Sequence, residues 1–288
     1  NYLNASRIDF YVGPVLAWSD TNGADGFAFN WYSGPAGVTR VYAEVINSNN
    51  QAIASEQYAI IATNATGADD TNYTPGSGWT LEWQDGFNGT MLDSGKWTHE
   101  TGYTDGINNL PAGWGNDEWQ NYNSNNAFVH DGNLVLLAFS GNGEPAKRPD
   151  TAIGQIQSGR IHTRGKYTVP FEAGIKRKVV ARIKMPETQG MFMAFWMMGI
   201  NRPTVGWPKC GEIDIVEMIG GGTNDMTSHN NYFYETSGGT QGSGVQHTNH
   251  GVALSADYHT YEVEWDQYQL VYRFDGNTTH TVNIAAAE

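Results

Sequence analysis

A chain of 288 residues, 39% hydrophobic, 12% aromatic and only 16% charged, has material for one large β domain or two smaller ones, each with a real core. Its formal net charge of −14, without any Lys/Arg cluster, excludes a surface built for the phosphate backbone of nucleic acid and works against polyanionic sugars. A single cysteine, Cys210, rules out an internal disulfide framework, and no run approaches the roughly 18 apolar residues of a membrane span.

The 35 glycines and the absence of long 3.6-residue periodicity predict an all-β protein. In chain order, strands are expected at Phe27–Trp31 and Val41–Ile46, then a hairpin over Phe128–Leu136 turning at Asp131-Gly132. Further strands are expected at Val179–Lys184, Thr260–Trp265 and Leu270–Phe274, the last running into a turn at Asp275-Gly276-Asn277. Residues 64–78 are polar, rich in Asn, Asp, Thr and Gly, and hold no strong apolar anchor except Tyr73. They read as a linker between a β-rich N-terminal unit, 1–63, and a larger unit, 79–288; a surface loop within one domain fits the same composition.

The stretch Gly211-Glu-Ile-Asp-Ile-Val-Glu-Met-Ile-Gly220 puts three carboxylates into six residues of an apolar run. In an extended strand Glu212 and Asp214 share a face, whereas Glu217 falls on the other side. A β-bulge near Ile215-Val216 would insert one unpaired residue and bring all three acids to one face. A straight strand would separate the outer two by roughly 16 Å, and a bulge trims this to about 13 Å. Two Glu side chains leaning together would then approach the about 5–5.5 Å that separates nucleophile and acid/base in retaining glycosidases. Three carboxylates this close cannot all ionise cheaply, so one retains a proton near neutral pH. From spacing alone an ordinary solvated strand fits as well as a site. A metal cluster fits poorly, because hard cations draw their oxygen ligands from loops rather than from strands with apolar residues in every gap.

Flat aromatic rings pack on the C–H faces of sugars. Phe192–Gly199, with Trp196, and Gly206–Gly211, with Trp207, lie immediately upstream of the acids. A third segment, Trp114-Gly-Asn-Asp-Glu-Trp-Gln-Asn-Tyr122, mixes indoles with amides and a carboxylate, the side chains that grip hydroxyls.

Together these segments resemble glycoside hydrolase family 16, in particular its laminarinase-like (endo-β-1,3-glucanase) branch. Glu212-Ile-Asp-Ile-Val-Glu217 matches the bulged strand motif, and Gly206-Trp-Pro-Lys-Cys-Gly211 its approach. The runs Trp114–Gln120, Ser158–Thr163, Ala181–Trp196 and Tyr258–Trp265 follow in the family's order. The resemblance implies a two-sheet β-jelly roll, a concanavalin-like sandwich with an open cleft, and a short β-rich N-terminal segment in addition. It also implies Glu212 as nucleophile, Asp214 as assisting acid and Glu217 as acid/base. Trp114, Asn116, Glu118, Trp196 and Trp207 would be substrate contacts, with His229 and Tyr232 added from the segment after the acids. The expected activity is retaining, endo-acting hydrolysis of β-1,3-glucan or mixed β-1,3/1,4-glucan, with no cofactor required and no metal. Expected too are a neutral β-glucan as partner, a monomer, and an extracellular setting with the signal peptide removed.

Four departures bear on these expectations. Gly86 in Trp83-Gln-Asp-Gly-Phe87 replaces a glutamate of the family, which weakens the expectation of the structural calcium some members carry. Phe192-Met-Ala-Phe-Trp196 replaces Trp-Pro-Ala-Phe-Trp, and His229-Asn-Asn-Tyr-Phe-Tyr234 replaces a His-aromatic pair. The chain also ends at Glu288, where the family continues with more core strands. Either the chain is truncated and residues 1–63 are an accessory module, or these residues, with Arg7–Val12 resembling the family's closing strand, are permuted strands of the sandwich. Four Asn-x-Ser/Thr sequons, at Asn4, Asn64, Asn88 and Asn277, carry no weight without the host. Two rival functions stay open: a galactan hydrolase of agarase or carrageenase type, against whose sulfated substrates the −14 charge argues, and a non-catalytic polysaccharide-binding module, which would need neither Glu212 nor Glu217.

Overall fold

A computed structural model describes residues 5–12, 15–24, 37–62, 73–103, 113–130, 132–140, 156–186, 188–220, 226–236, 238–239 and 241–284. The strand expected at Phe27–Trp31 lies outside them, as does the Asp131 corner of the 128–136 hairpin. The chain divides into two compact units at 162/163.

The first unit opens with β1 (Ala5–Val12), β2 (Val15–Asp20), β3 (Gly37–Asn47) and β4 (Ala52–Ala62), paired antiparallel in the order β2-β1-β3-β4. Every described ladder of these strands runs among the four. Short strands follow: β5 (Thr98–His99), β6 (Gln120–Tyr122), β7 (Ala127–His130), β8 (Asn133–Leu136), β9 (Phe139–Ser140), β10 (Ile156–Ser158) and β11 (Ile161–His162). They form a three-stranded sheet, β6-β10-β9, and the pairs β11-β5 and β7-β8, the last being the hairpin expected over 128–136.

The second unit is a two-layer antiparallel sandwich. Its strands are β12 (Arg177–Ile183), β13 (Met191–Met198), β14 (Glu212–Gly220), β15 (Thr227–Glu235), β16 (Gln241–Asn249), β17 (His259–Trp265), β18 (Gln269–Phe274) and β19 (Asn277–Asn283). One sheet runs β13-β14-β15-β16 and the other β12-β17-β18-β19. Alternation in β17 shows why this sequence makes a half-buried strand. Tyr261 and Val263 enter the core, while Glu262 and Glu264 turn to the other face, where Lys178 of β12 reaches both carboxylates at 3.3 and 3.1 Å. The β18–β19 hairpin closes on Asp275 and Gly276 with φ of 46° and 76°, the left-handed pair that a two-residue type I′ turn requires.

The core between the layers joins Ile215, Val216 and Met218 of β14 to Tyr261, Val263, Leu270, Tyr272 and Val282 of the other sheet. Thus the strand that carries the three acids also supplies the middle of the core.

Candidate active site

Strand β14 is irregular where the sequence leads one to expect it. Along β13, Phe195 pairs with Val216 and Trp196 with Asp214, so Ile215 is the residue without a partner. Along β15, Asp214 pairs with Asn231 and Glu217 with His229, so Ile215 and Val216 together oppose Asn230. Two residues against one is a β-bulge. It returns Glu217 to the side occupied by Glu212 and Asp214, and it turns Ile215, Val216 and Met218 into the core at 1%, 0% and 0% exposure. Directly paired residues share a face. The acids are therefore flanked by Ala194 and Trp196 of β13, by His229, Asn231 and Phe233 of β15, and, one strand further, by His247 of β16.

The loop between β13 and β14 brings in one more aromatic. Gly199 N–H donates to the Gly211 carbonyl at 3.1 Å, and a Cβ on Gly199 would lie 1.9 Å from the Cys210 carbonyl oxygen. That close approach, open only to glycine, pinches the loop base shut. Between those ends a short helix, Arg202–Val205, leads into Trp207, whose indole Nε1 donates to Glu212 Oε2 at 2.5 Å. The ring is 46% exposed and its centroid lies 5.5 Å from that of Phe233. Nearly half exposed, the ring offers apolar surface beside the carboxylate.

The three carboxyls differ in what surrounds them. Asp214 is 2% exposed. Burial, then the charges of Glu212 and Glu217, push its pKa up to about 9. Glu217 is pushed up to about 7 by burial and by the charge of Glu212, opposed by a hydrogen bond that the Asn231 side-chain amide donates to its Oε2. Glu212 is also raised by burial, but the Trp207 indole, a hydrogen bond with Asp214 and the charge of Arg202 all favour its ionised form. At neutral pH, then, Asp214 holds a proton and bonds to Glu212, Glu217 sits near its midpoint, and Glu212 has the most support for a negative charge. This is the division that acid–base catalysis by paired carboxyls needs.

A stability consequence follows from Asp214. Its folded-state pKa lies above its unfolded value, so the native state binds the extra proton and stability falls as pH rises from about 4 towards 9. Asp214→Asn keeps a donor and removes this dependence. We expect the variant to be more stable than the parent by several kcal/mol at pH 8 and no different at pH 3.5, read by urea unfolding at both values. An unchanged pH dependence would show that Asp214 is ionised in the native state.

The other expected contacts separate into two groups. Trp196, Trp207 and His229 lie on the acid face; His229 is beside Glu217 and stands edge-on to His247 at 4.3 Å. Tyr232 does not share that face. It pairs with Ile213 and packs against the core cluster, because β15 is regular and residues three apart point to opposite sides. In the first unit, Trp114 is buried, with the Arg160 guanidinium over one face at 4.2 Å from its ring centre and Tyr122 in an edge contact. Glu118 Oε2 accepts from the Tyr122 hydroxyl at 2.7 Å and from Gln120 Nε2 at 2.8 Å, which makes it part of an internal network rather than a free contact. Asn116 is exposed in a turn closed by its own N–H to the Gly113 carbonyl. Asn231, Phe233 and His247 join the acid face without any expectation from the sequence, although the two-residue spacing of His229, Asn231 and Phe233 marks a common face.

Among the described residues no group of three His, Cys, Asp or Glu is arranged to hold a metal ion. Asp85, in the segment on which the calcium expectation rests, accepts from Trp97 Nε1 at 2.8 Å and from the Phe87 N–H at 3.0 Å.

The model of glycosyl hydrolases family 16 matches residues 118–288, more than half of the chain. The chain belongs to glycoside hydrolase family 16. It is 32% identical over 210 residues to glucan endo-1,3-beta-glucosidase A1 of Niallia circulans, covering 72% of this chain and 30% of that protein. Less than a third of that longer relative is therefore represented. The laminarinase catalytic domain of Thermotoga maritima MSB8 superposes with a TM-score of 0.59 at 30% identity, covering 72% of this chain and 78% of that one. A family 16 protein of the mixed linkage glucan PUL of Bacteroides ovatus, solved with the product G4G4G3G, superposes with a TM-score of 0.55 at 31% identity, covering 70% and 78%. The family 16 jelly roll accounts for the two packed sheets of the second unit and for an acid-bearing strand in one of them.

Proposed function

We propose that this family 16 protein is a retaining, endo-acting glycoside hydrolase of β-1,3-glucan or mixed β-1,3/1,4-glucan. The observation that carries the reading is the single face shared by Glu212, Asp214 and Glu217, with the buried Asp214 set between two glutamates of different environment. Glu212 attacks the anomeric carbon, and Glu217 gives its proton to the departing glycosidic oxygen. The glycosyl-enzyme is then opened by a water that Glu217, now ionised, deprotonates, and Glu212 is released. Asp214 donates to Glu212 and keeps a second charge out of the site; no cofactor takes part. Trp207 and Trp196 supply the apolar surface on which glucose rings stack.

The glucan assignment draws its support from the 1,3-glucanase of Niallia circulans, the laminarinase of Thermotoga maritima and the mixed-linkage-glucan protein of Bacteroides ovatus. The acidic surface supports a neutral rather than a sulfated chain. Extracellular action as a monomer, with residues 1–63 as an accessory unit joined through 64–78, completes the proposal.

Laminarin, lichenan and agarose should be offered in parallel and the first-released anomer read by NMR. Oligosaccharides of intermediate length from the first two, initially β at the new reducing end, are the expected products. Products from agarose alone, or an α first anomer, would overturn the substrate or the mechanism respectively. Because the proton donor must be protonated, kcat/KM should fall as pH rises through about 7, with an acid limb above the ordinary glutamate range.

A further inference from the structure

A bulge has an internal difficulty: its extra residue drops out of the ladder, and a buried carbonyl left without a donor costs about 1–3 kcal/mol. Ile215 is that residue here, and it is 1% exposed. Its carbonyl is met by a side chain. Asn230, on the core side of β15 and 6% exposed, donates through Nδ2 to Ile215 O at 2.6 Å. At its other end Asn230 Oδ1 takes a long contact, 3.5 Å, from the Thr279 hydroxyl of β19 in the facing sheet. A carboxamide this deeply buried is otherwise out of place. It stands directly opposite the two residues that make the slip, and it ties that slip to the second layer.

We propose that Asn230 is a positioning residue of the active centre: by clamping the Ile215 carbonyl it fixes the bulge, and the bulge fixes Glu217 relative to Glu212 and Asp214. The inference rests on the hydrolase reading for its kinetic consequence, but not for its structural one. Ser228 provides the comparison. It lies two residues away on the same face, is 3% exposed, and bonds to His250 Nε2 at 2.8 Å without touching the slip. If Asn230 were merely a satisfied polar group in the core, the two would behave alike.

The titratable neighbours that Glu217 meets are Glu212 and Asp214 on its own strand, His229 on β15 and His247 on β16; β13 contributes Ala194 and Trp196, which do not titrate, and Tyr272 of β18 lies behind Asp214. Moving Glu217 changes its distance to all of them.

The experiment compares the parent, Asn230→Leu, Asn230→Ser and Ser228→Ala. In each, the Glu217 carboxyl is titrated by carbon-13 NMR, and kcat and KM are measured on laminarin and on a 2,4-dinitrophenyl β-laminaribioside. In Asn230→Leu the Glu217 titration should shift by about half a unit or more. Its kcat on laminarin should fall about 10²-fold, with KM little changed. The pre-steady-state burst of dinitrophenolate should persist, because that leaving group departs without a proton. Ser228→Ala should show none of these changes. If Asn230→Leu does not fold, Asn230→Ser, which keeps only a shorter donor, decides the matter by the same readouts. An unshifted Glu217 titration, or equal losses in Ser228→Ala, would overturn the proposal. Should the parent leave every glucan intact, the hydrolase reading fails while the carbon-13 titration still decides whether Asn230 places Glu217.

Discussion

Replacement of Glu212 by Gln is expected to reduce hydrolysis of laminarin by at least about 10⁴-fold while leaving oligosaccharide binding in place. The amide is nearly isosteric, and its oxygen still accepts from the Trp207 indole that now bonds to Glu212 Oε2, so the loop and its ring keep their positions. What disappears is the electron pair that forms the glycosyl-enzyme. Binding measured through Trp fluorescence and turnover measured by reducing ends should therefore part company. If substantial hydrolysis remains, Glu212 is not the nucleophile.

Glu217→Ala is the second large effect, with a different signature. Turnover of unactivated glucan should drop about 10²–10⁴-fold, the range that general acid–base assistance contributes. The descending limb near pH 7 should vanish with it, since the group pushed up to about 7 is gone. With a dinitrophenyl glycoside the first step no longer needs a proton, and added azide, which needs no base to attack, should restore turnover and yield a β-glycosyl azide. An α azide, or no acceleration by azide, would contradict assignment of both steps to Glu217. The Asn231 amide, left without its acceptor, would cost this variant some stability as well.

The sequence allowed the acid strand to be reconstructed in unusual detail because its parity error has only one economical repair. Apolar residues at Ile213, Val216 and Met218 require a buried side, and acids at 212, 214 and 217 require the other; one extra residue between 214 and 217 satisfies both. Pairing across strands was not available in the same way. Asn231 contacts Glu217, and His247 stands beside His229, only because β15 and β16 fall into a particular register, and nothing local in either segment states it. Tyr232 shows the converse failure. An aromatic near the acids invited a role in sugar stacking, yet counting by twos from His229 already puts it on the core side. Trp114 and Glu118 are a different case: a mixture of indoles, amides and carboxylates suits a sugar site and also suits a packed polar network, and here Arg160 and Tyr122 build such a network around them.

The three carboxyls and the innermost apolar side chains share one short strand, β14, with Val216 and Met218 wholly enclosed beneath the acids. The proposed site and the cohesion of the sandwich are consequently inseparable over that span: no partial loosening can disturb these carboxyls yet spare the interior, or the reverse. On heating, loss of turnover should coincide with cooperative melting of the sandwich instead of preceding it, so this protein would lack the early, reversible dimming of activity seen where a site rides on detachable loops.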